Sequence, residues 1–173
     1  TRLERDLPKL LQQHPATLAA VIARCCQIKA AVVGLDEKEA GLRAILNFGH
    51  TLGHGLEAIS KYGKYLHGEA ISIGQVAAAK ISQAQTGLPE KDTARITTLF
   101  ENAGLPTQVK LTPAQTRRLF TAIQLDKKVT AGQINFVLAK KIGQVLTGQE
   151  VQPAQIRQSL NPQPSTLNLP NGC

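Results

Sequence analysis

From Arg43 to His54 the chain reads Arg43-Ala44-Ile45-Leu46-Asn47-Phe48-Gly49-His50-Thr51-Leu52-Gly53-His54. If this stretch is helical, Arg43, Asn47, His50 and His54 follow one another at steps of four, three and four and share one face. Such a face is expensive to bury unless it meets a ligand or a metal. His50, His54 and His67 are three of the chain's 4 histidines and lie close together in sequence. Histidines at i and i+4 can both coordinate one zinc ion, or one can hold metal while the other moves protons. The ordinary alternative is a solvated polar face on an amphipathic helix. Gly49 and Gly53 tilt the balance, because a glycine inside a helix costs on the order of 1 kcal/mol relative to alanine. Small residues at these points suggest close approach by another backbone or by a ligand. A catalytic zinc site needs a third protein ligand, commonly a carboxylate. Glu57 and Glu69 are near in sequence, and spacing selects neither.

The elements that must position these side chains are mostly helices. From Leu3 to about Val33 apolar residues recur at helical intervals, among them Leu18, Val21, Ile22 and Cys25. Pro8 reads as a first-turn proline, and Pro15 as the opening of the longer helix. After a polar connection, 34–40, a second helical stretch is predicted over 42–61, ending near Gly63. A third, 69–85, is rich in Ala and Ile and small on nearly every face, which suggests burial between neighbours. A fourth is predicted over 92–102, stopped by Gly104 and Pro106. Thr112-Pro113 looks like an N-cap followed by proline at the first helical position, opening a fifth helix that runs to about Leu125. Between 133 and 151 the period changes: Ile134, Phe136 and Leu138 alternate as on one face of a strand, and a hairpin turning at 141–143 is expected. A final helix is expected over 153–160. The tail, 161–173, carries prolines and reads as disordered. The fold class is therefore mainly α, several helices with one small β-hairpin.

Composition narrows the partners. The hydrophobic fraction of 42% and charged fraction of 18% over 173 residues suit one packed domain. The charge of +8 suits a phosphate-bearing partner, either a polynucleotide or a small phosphorylated metabolite. With no Trp, 2 Tyr and 4 Phe, a stacking platform for single-stranded nucleic acid is hard to assemble. Without an unbroken run of eighteen apolar residues, no bilayer span is expected. The absence of Met predicts that the chain continues something preceding Thr1. Cys25, Cys26 and Cys173 lack the paired spacing of a zinc site and read as free thiols, which points to the cytoplasm.

Two motifs together carry a family resemblance. Leu46-Asn47-Phe48-Gly49-His50-Thr51-Leu52-Gly53-His54 and Leu66-His67-Gly68-Glu69-Ala70 resemble the signature of the 3-dehydroquinate synthases. The flanks Ile28-Lys29-Ala30-Ala31-Val32-Val33, Asp36-Glu37-Lys38-Glu39, Gly41-Leu42-Arg43 and Asp126-Lys127-Lys128 fit as well. The resemblance covers roughly residues 1–160 and implies the C-terminal helical domain of an enzyme whose N-terminal half binds NAD. That family converts 3-deoxy-D-arabino-heptulosonate 7-phosphate to 3-dehydroquinate and phosphate on the shikimate route, as a phosphate-eliminating lyase. Matched by position, His50 and His67 are the implied ligands of a divalent metal, zinc or cobalt. His54 is implied in proton transfer and substrate contact, and Glu39 as a proton acceptor. Lys29, Arg43, Asn47 and Lys127 are implied substrate contacts, with Lys127 preferred over Lys128. The third metal ligand, a glutamate, and the nucleotide-binding half are expected outside this chain, which holds no cofactor-binding motif for NAD. Gly55 stands where the family usually has alanine, and Gln75 where methionine is common. The resemblance further implies a cytoplasmic homodimer for the complete enzyme, with no nucleic-acid or membrane partner, and a chain inactive by itself. Another sugar-phosphate cyclase of the same superfamily, or a basic helical nucleic-acid-binding module, are the alternatives.

Overall fold

The computed structural model describes residues 1–38, 41–60, 65–126 and 134–160. Seven α-helices, one 3₁₀ segment and a two-stranded sheet are formed in these residues: α1 Arg2–Leu11, α2 Pro15–Leu35, the 3₁₀ segment Leu42–Asn47, α3 His50–Ile59, α4 His67–Gln85, α5 Glu90–Asn102, α6 Pro113–Asp126, β1 Asn135–Lys141, β2 Gln144–Glu150 and α7 Pro153–Leu160. The mainly helical class with one hairpin is borne out.

Local chemistry explains most of the boundaries. Thr1 and Glu4 form a reciprocal capping box at the start of α1. Thr112 and Gln115 do the same for α6, with Pro113 at its first position. His14 caps α2, its Nδ1 accepting from the Thr17 amide, so the fourth histidine is spent on structure. Pro8 departs from expectation: it lies inside α1, whose helix extends to Leu11 on either side of it. Glu4 also accepts two 3.0 Å bonds from Arg95 on α5, and that guanidinium holds the Glu4 carboxyl down at about 2.

The continuous helix expected over 42–61 is the main correction. Residues 42–47 wind as a 3₁₀ segment, Phe48 is extended, and Gly49 at φ +80° starts a separate helix. The reason is tertiary. A Cβ on Gly49 would stand 2.6 Å from the Gln75 backbone nitrogen, and one on Gly74 would stand 2.1 Å from the Gly49 carbonyl oxygen. A Cβ on Gly53 would meet Ile71 Cδ1 at 2.5 Å and Ala70 O at 3.3 Å. Thus α3 and α4 cross almost backbone to backbone on a seam of glycine and alanine. The close approach read from Gly49 and Gly53 is to another backbone.

The opposite face of α3 packs on α6, where Leu119 and Ile123 fill the space beside Gly55. Their side-chain tips leave no vacant room for the alanine methyl usual at that position. Helix α4 is buried along most of its length, as its small residues suggested. Leu52, Leu56, Ile73, Ala77, Ile81, Leu119, Ile123, Phe136, Leu138 and Ile156 form one core around it.

The hairpin is antiparallel and pairs Asn135 with Glu150 through to Lys141 with Gln144, turning at Ile142-Gly143. It is tied to the end of α4: Ala139 N donates to Ser82 Oγ at 2.8 Å, and Thr86 Oγ donates to Ala139 O at 2.6 Å. Its first strand does not alternate as expected. Val137 and Ala139 are buried as well as Phe136 and Leu138, because Ala139 enters a second small cluster with Ala79 and Leu88.

Helix α2 stands apart, since none of its residues is buried. It is a helix of 21 residues whose most apolar 18-residue window has a mean hydropathy of 1.7, long and apolar enough to cross a membrane by length and composition alone. The sequence still holds no unbroken run of eighteen apolar residues, and length and composition do not by themselves place this helix in a membrane. Arg24 and Lys29 interrupt the apolar run without lowering its mean below the spanning range.

The seam predicts opposite outcomes for two alanine substitutions on one helix. Gly74→Ala meets backbone that cannot yield, and it should destabilise the chain by about 1–3 kcal/mol or more in urea unfolding. Gly68→Ala on the same helix meets nothing within 4 Å and should be neutral or stabilising by up to about 1 kcal/mol. Equal effects would show that the crossing is looser than described.

Candidate active site

Each histidine of interest sits at or near a helix start, and the seam brings those starts together. His50 opens α3, His54 lies one turn on, and His67 opens α4. Ring centroids are 5.3 Å apart for His50 and His54, 6.1 Å for His50 and His67, and 5.9 Å for His54 and His67. One ligand nitrogen from each ring lies within 4.8 Å of the other two. Ligand nitrogens around zinc stand about 3.4 Å apart at bond lengths near 2.0–2.1 Å, so modest rotation would close the cluster on an ion. Three imidazoles suit zinc or cobalt better than magnesium or calcium, which prefer oxygen. This donor set fits a transition metal.

Two of the rings are fixed from behind. His50 Nδ1 lies 3.3 Å from the Phe48 carbonyl oxygen, and His67 Nδ1 lies 3.1 Å from Glu57 Oε1. In both cases Nδ1–H is the natural donor, so Nε2 is the atom each ring would offer to a metal. Of the two carboxylates that spacing could not separate, Glu69 accepts from the Leu66 amide at 2.8 Å as part of the α4 cap. Glu57 instead faces the histidines.

Beside the cluster is a cavity of about 450 Å³. Lys29, Arg43, Asn47 and His50 supply its polar lining, and Ile28 and Leu46 an apolar wall. Arg43, Asn47, His50 and His54 do not form one helical face, because Gly49 breaks the helix between them. Tertiary folding restores the grouping by a different route, with Lys29 arriving from α2 and His50 shared between cavity and cluster. His54 belongs to the cluster and is not part of the cavity lining. Glu39 and Lys127 lie outside the described residues.

The sequence reading gives Cys25 and Asp36 no role in the site, and it does not select Glu57 over Glu69. Cys25 lines the cavity one turn before Lys29, a placement its i, i+4 spacing could have signalled once Lys29 was singled out. Asp36 shapes the approach: its Oδ2 accepts from the amides of Gly41 and Arg43, each at 2.8 Å. Arg43 Nη1 donates to the Glu37 carbonyl at 3.0 Å, so backbone and guanidinium are both anchored. Glu57, at i+7 from His50, shares the histidine face of α3, and only the fold shows that it reaches His67.

Comparison with known proteins gives this arrangement a family. The profile described as 3-dehydroquinate synthase C-terminal matches residues 1–129. A 3-dehydroquinate synthase of Nostoc punctiforme is 45% identical over 156 residues, covering 90% of this chain and 43% of the relative. The Nitrosomonas europaea protein of the same name is 42% identical over 159 residues, covering 92% of this chain and 42% of the relative. The chain belongs to the 3-dehydroquinate synthase family. It spans less than half the length of these family members. Among solved structures, 2-epi-5-epi-valiolone synthase from Streptomyces hygroscopicus, with NAD+ and Zn2+ bound, superposes with a TM-score of 0.78 at 23% identity, covering 92% of this chain and 44% of that one. A 2-deoxy-scyllo-inosose synthase complexed with carbaglucose-6-phosphate, NAD+ and Co2+ gives 0.71 at 24% identity, covering 84% of this chain and 42% of that one. At those identities the two structures attest the fold that this 3-dehydroquinate synthase family member adopts.

The Asp36 turn is open to test without any ligand. Asp36→Ala removes the acceptor of two charge-assisted bonds and should cost about 1.5–3 kcal/mol locally. Hydrogen exchange at the Gly41 and Arg43 amides should accelerate by at least tenfold, with α4 amides unchanged. Asp36→Asn, which keeps an acceptor oxygen, should fall between.

Proposed function

We propose that this chain is the metal- and substrate-binding half of a 3-dehydroquinate synthase, converting 3-deoxy-D-arabino-heptulosonate 7-phosphate to 3-dehydroquinate and phosphate. The observation that carries the reading is the meeting of three imidazoles with a cavity lined by Lys29, Arg43 and Asn47. A substrate bearing both a carboxylate and a phosphate calls for two separated cations and a neutral hydrogen-bonding group, which this lining contains.

In this reading His50 and His67 hold the divalent metal through Nε2, and a glutamate outside the chain completes the set. When bound, zinc or cobalt supplies Lewis-acid polarisation of the substrate hydroxyl under oxidation. NAD, held by the half of the enzyme outside this chain, supplies the transient oxidation and re-reduction. The chain's own residues orient the substrate and move its protons. Arg43, fixed by Asp36 and Glu37, and Lys29 on α2 bind the anionic groups. Asn47 hydrogen-bonds the polyol, and Lys127 adds a further contact. His54, beside both metal-binding rings, takes the hydroxyl proton, and Glu39 acts as a second acceptor. Helix α2 then presents its apolar surface to the nucleotide-binding half. The complete enzyme in this reading is a cytoplasmic homodimer that needs neither nucleic acid nor membrane, and the chain alone turns over no substrate.

A related sugar-phosphate cyclase is the second reading, favoured by the fold shared with the valiolone and inosose synthases. The 42–45% identity to 3-dehydroquinate synthases, against 23–24% to those cyclases, supports the first.

The test joins this chain to the N-terminal portion of the Nostoc punctiforme relative and follows cobalt uptake and phosphate release together. His50→Ala should lose the metal and nearly all turnover. His54→Ala should retain stoichiometric metal while turnover falls about 10²–10⁴-fold, the usual range for a lost general acid–base group. Full turnover by His50→Ala with metal still bound would overturn the ligand assignment. Activity on another sugar phosphate in place of the heptulosonate would favour the second reading.

A further inference from the structure

The carboxylate of Glu57 is the one charged group on the histidine face of α3 that the reaction scheme leaves unused. His50, His54 and Glu57 follow at i, i+4 and i+7 along α3 and so form one stripe. At its far end Glu57 Oε1 lies 3.1 Å from Nδ1 of His67, which comes from a different helix. The two partners differ in freedom. The His67 side chain is 60% exposed at the first position of α4, whereas that of Glu57 is 21% exposed on a helix packed against both α4 and α6. An exposed imidazole samples several rotamers and both tautomers, and ordering it at the moment of metal binding costs entropy. Among the described residues, Glu57 is the hydrogen-bond partner that restricts it.

We propose that Glu57 is the positioning residue of the metal site, a carboxylate that fixes the Nδ1–H tautomer of His67 and aims its Nε2 at the metal. The inference rests on the metal reading above. It also gives α3 a double duty: the helix provides two imidazoles directly and controls the third across the seam. The Phe48 carbonyl does the corresponding work for His50, with backbone in place of a side chain. A carboxylate has an added effect, since its negative charge makes the imidazole behind which it sits a stronger electron donor.

The experiment compares wild type, Glu57→Ala and Glu57→Gln, each joined to the N-terminal portion of the Nostoc punctiforme relative that supplies the remaining metal ligand. In metal-free protein at mildly alkaline pH, ¹⁵N shifts of the His67 ring report its tautomer. The wild type and Glu57→Gln, whose amide oxygen can still accept, should hold the proton on Nδ1. Glu57→Ala should move it toward Nε2, the tautomer that an unconstrained histidine favours. Cobalt affinity, measured by chelator competition, should fall about 10–100-fold in Glu57→Ala, the range expected for a lost outer partner, and less in Glu57→Gln. The visible cobalt spectrum of the saturated variants should keep its wild-type band positions. An unchanged tautomer or an unchanged affinity in Glu57→Ala overturns the proposal. So does a changed cobalt spectrum with one donor fewer, which would make Glu57 a direct ligand. If the wild type takes up no cobalt at all, the metal reading fails and this role fails with it. The tautomer shift would then still register the Glu57–His67 bond separately.

Discussion

The closeness of α3 and α4 is the constraint on which the site depends. Helix axes ordinarily stand 8–10 Å apart, with side chains interleaved between them. Here glycine at positions 49, 53 and 74 removes the side chains that would hold the backbones off, and Gly49 adopts a left-handed conformation that other residues reach only with strain. The result is that the first residue of each helix carries a histidine to the same point. A methyl group at Gly74 would press on the Gly49 carbonyl and push His50 and His67 apart together. Close helix packing and the geometry of the histidine cluster are thus set by the same glycines.

The rest of the domain holds that seam in place. Leu119 and Ile123 of α6 back α3, while Phe136, Leu138 and Ile156 from the hairpin and α7 close the core around α4. Ser82 and Thr86 bind the hairpin to the C-terminal end of α4 through buried and half-buried hydroxyls, which fixes the helix along its axis. The site lies at the opposite, N-terminal end of that helix. The hairpin also reaches the site's own segment, where Thr51, next to His50, donates to the Asn135 carbonyl of β1.

The cavity is organised differently. Its cations come from α2 and from the 3₁₀ segment, and the Asp36 carboxylate links the two by accepting both the Gly41 and Arg43 amides. No residue of α2 is buried among the described residues, so one wall of the cavity rests on a helix whose apolar surface is largely open. In the reading proposed above, a histidine cluster beside an anchored Arg43 and an open α2 wall suits a cleft between two halves of an enzyme. The chain's span, under half that of its family members, agrees with this.

The sequence by itself determined the local pieces. Thr112-Pro113 and Pro15 marked helix starts because capping and fixed φ act over three or four residues. The hairpin and α7 were equally plain, since period and turn residues are local properties. The histidines, Lys29, Arg43 and Asn47 could be chosen by type and motif. What sequence could not supply was how they meet. The stretch around Gly49 read as one helix because its intrinsic preferences allow it, and only the Gln75 backbone lying against Gly49 turned it into two. Burial on both faces of β1 depended on a second cluster assembled from α4 and the loop after it. Sequence offered Glu57 and Glu69 as equal carboxylates, and only the fold, which sets Glu57 against a ring from another helix, separated them. Short-range forces are written in neighbouring residues, whereas close approach between distant backbones exists only once the chain has folded.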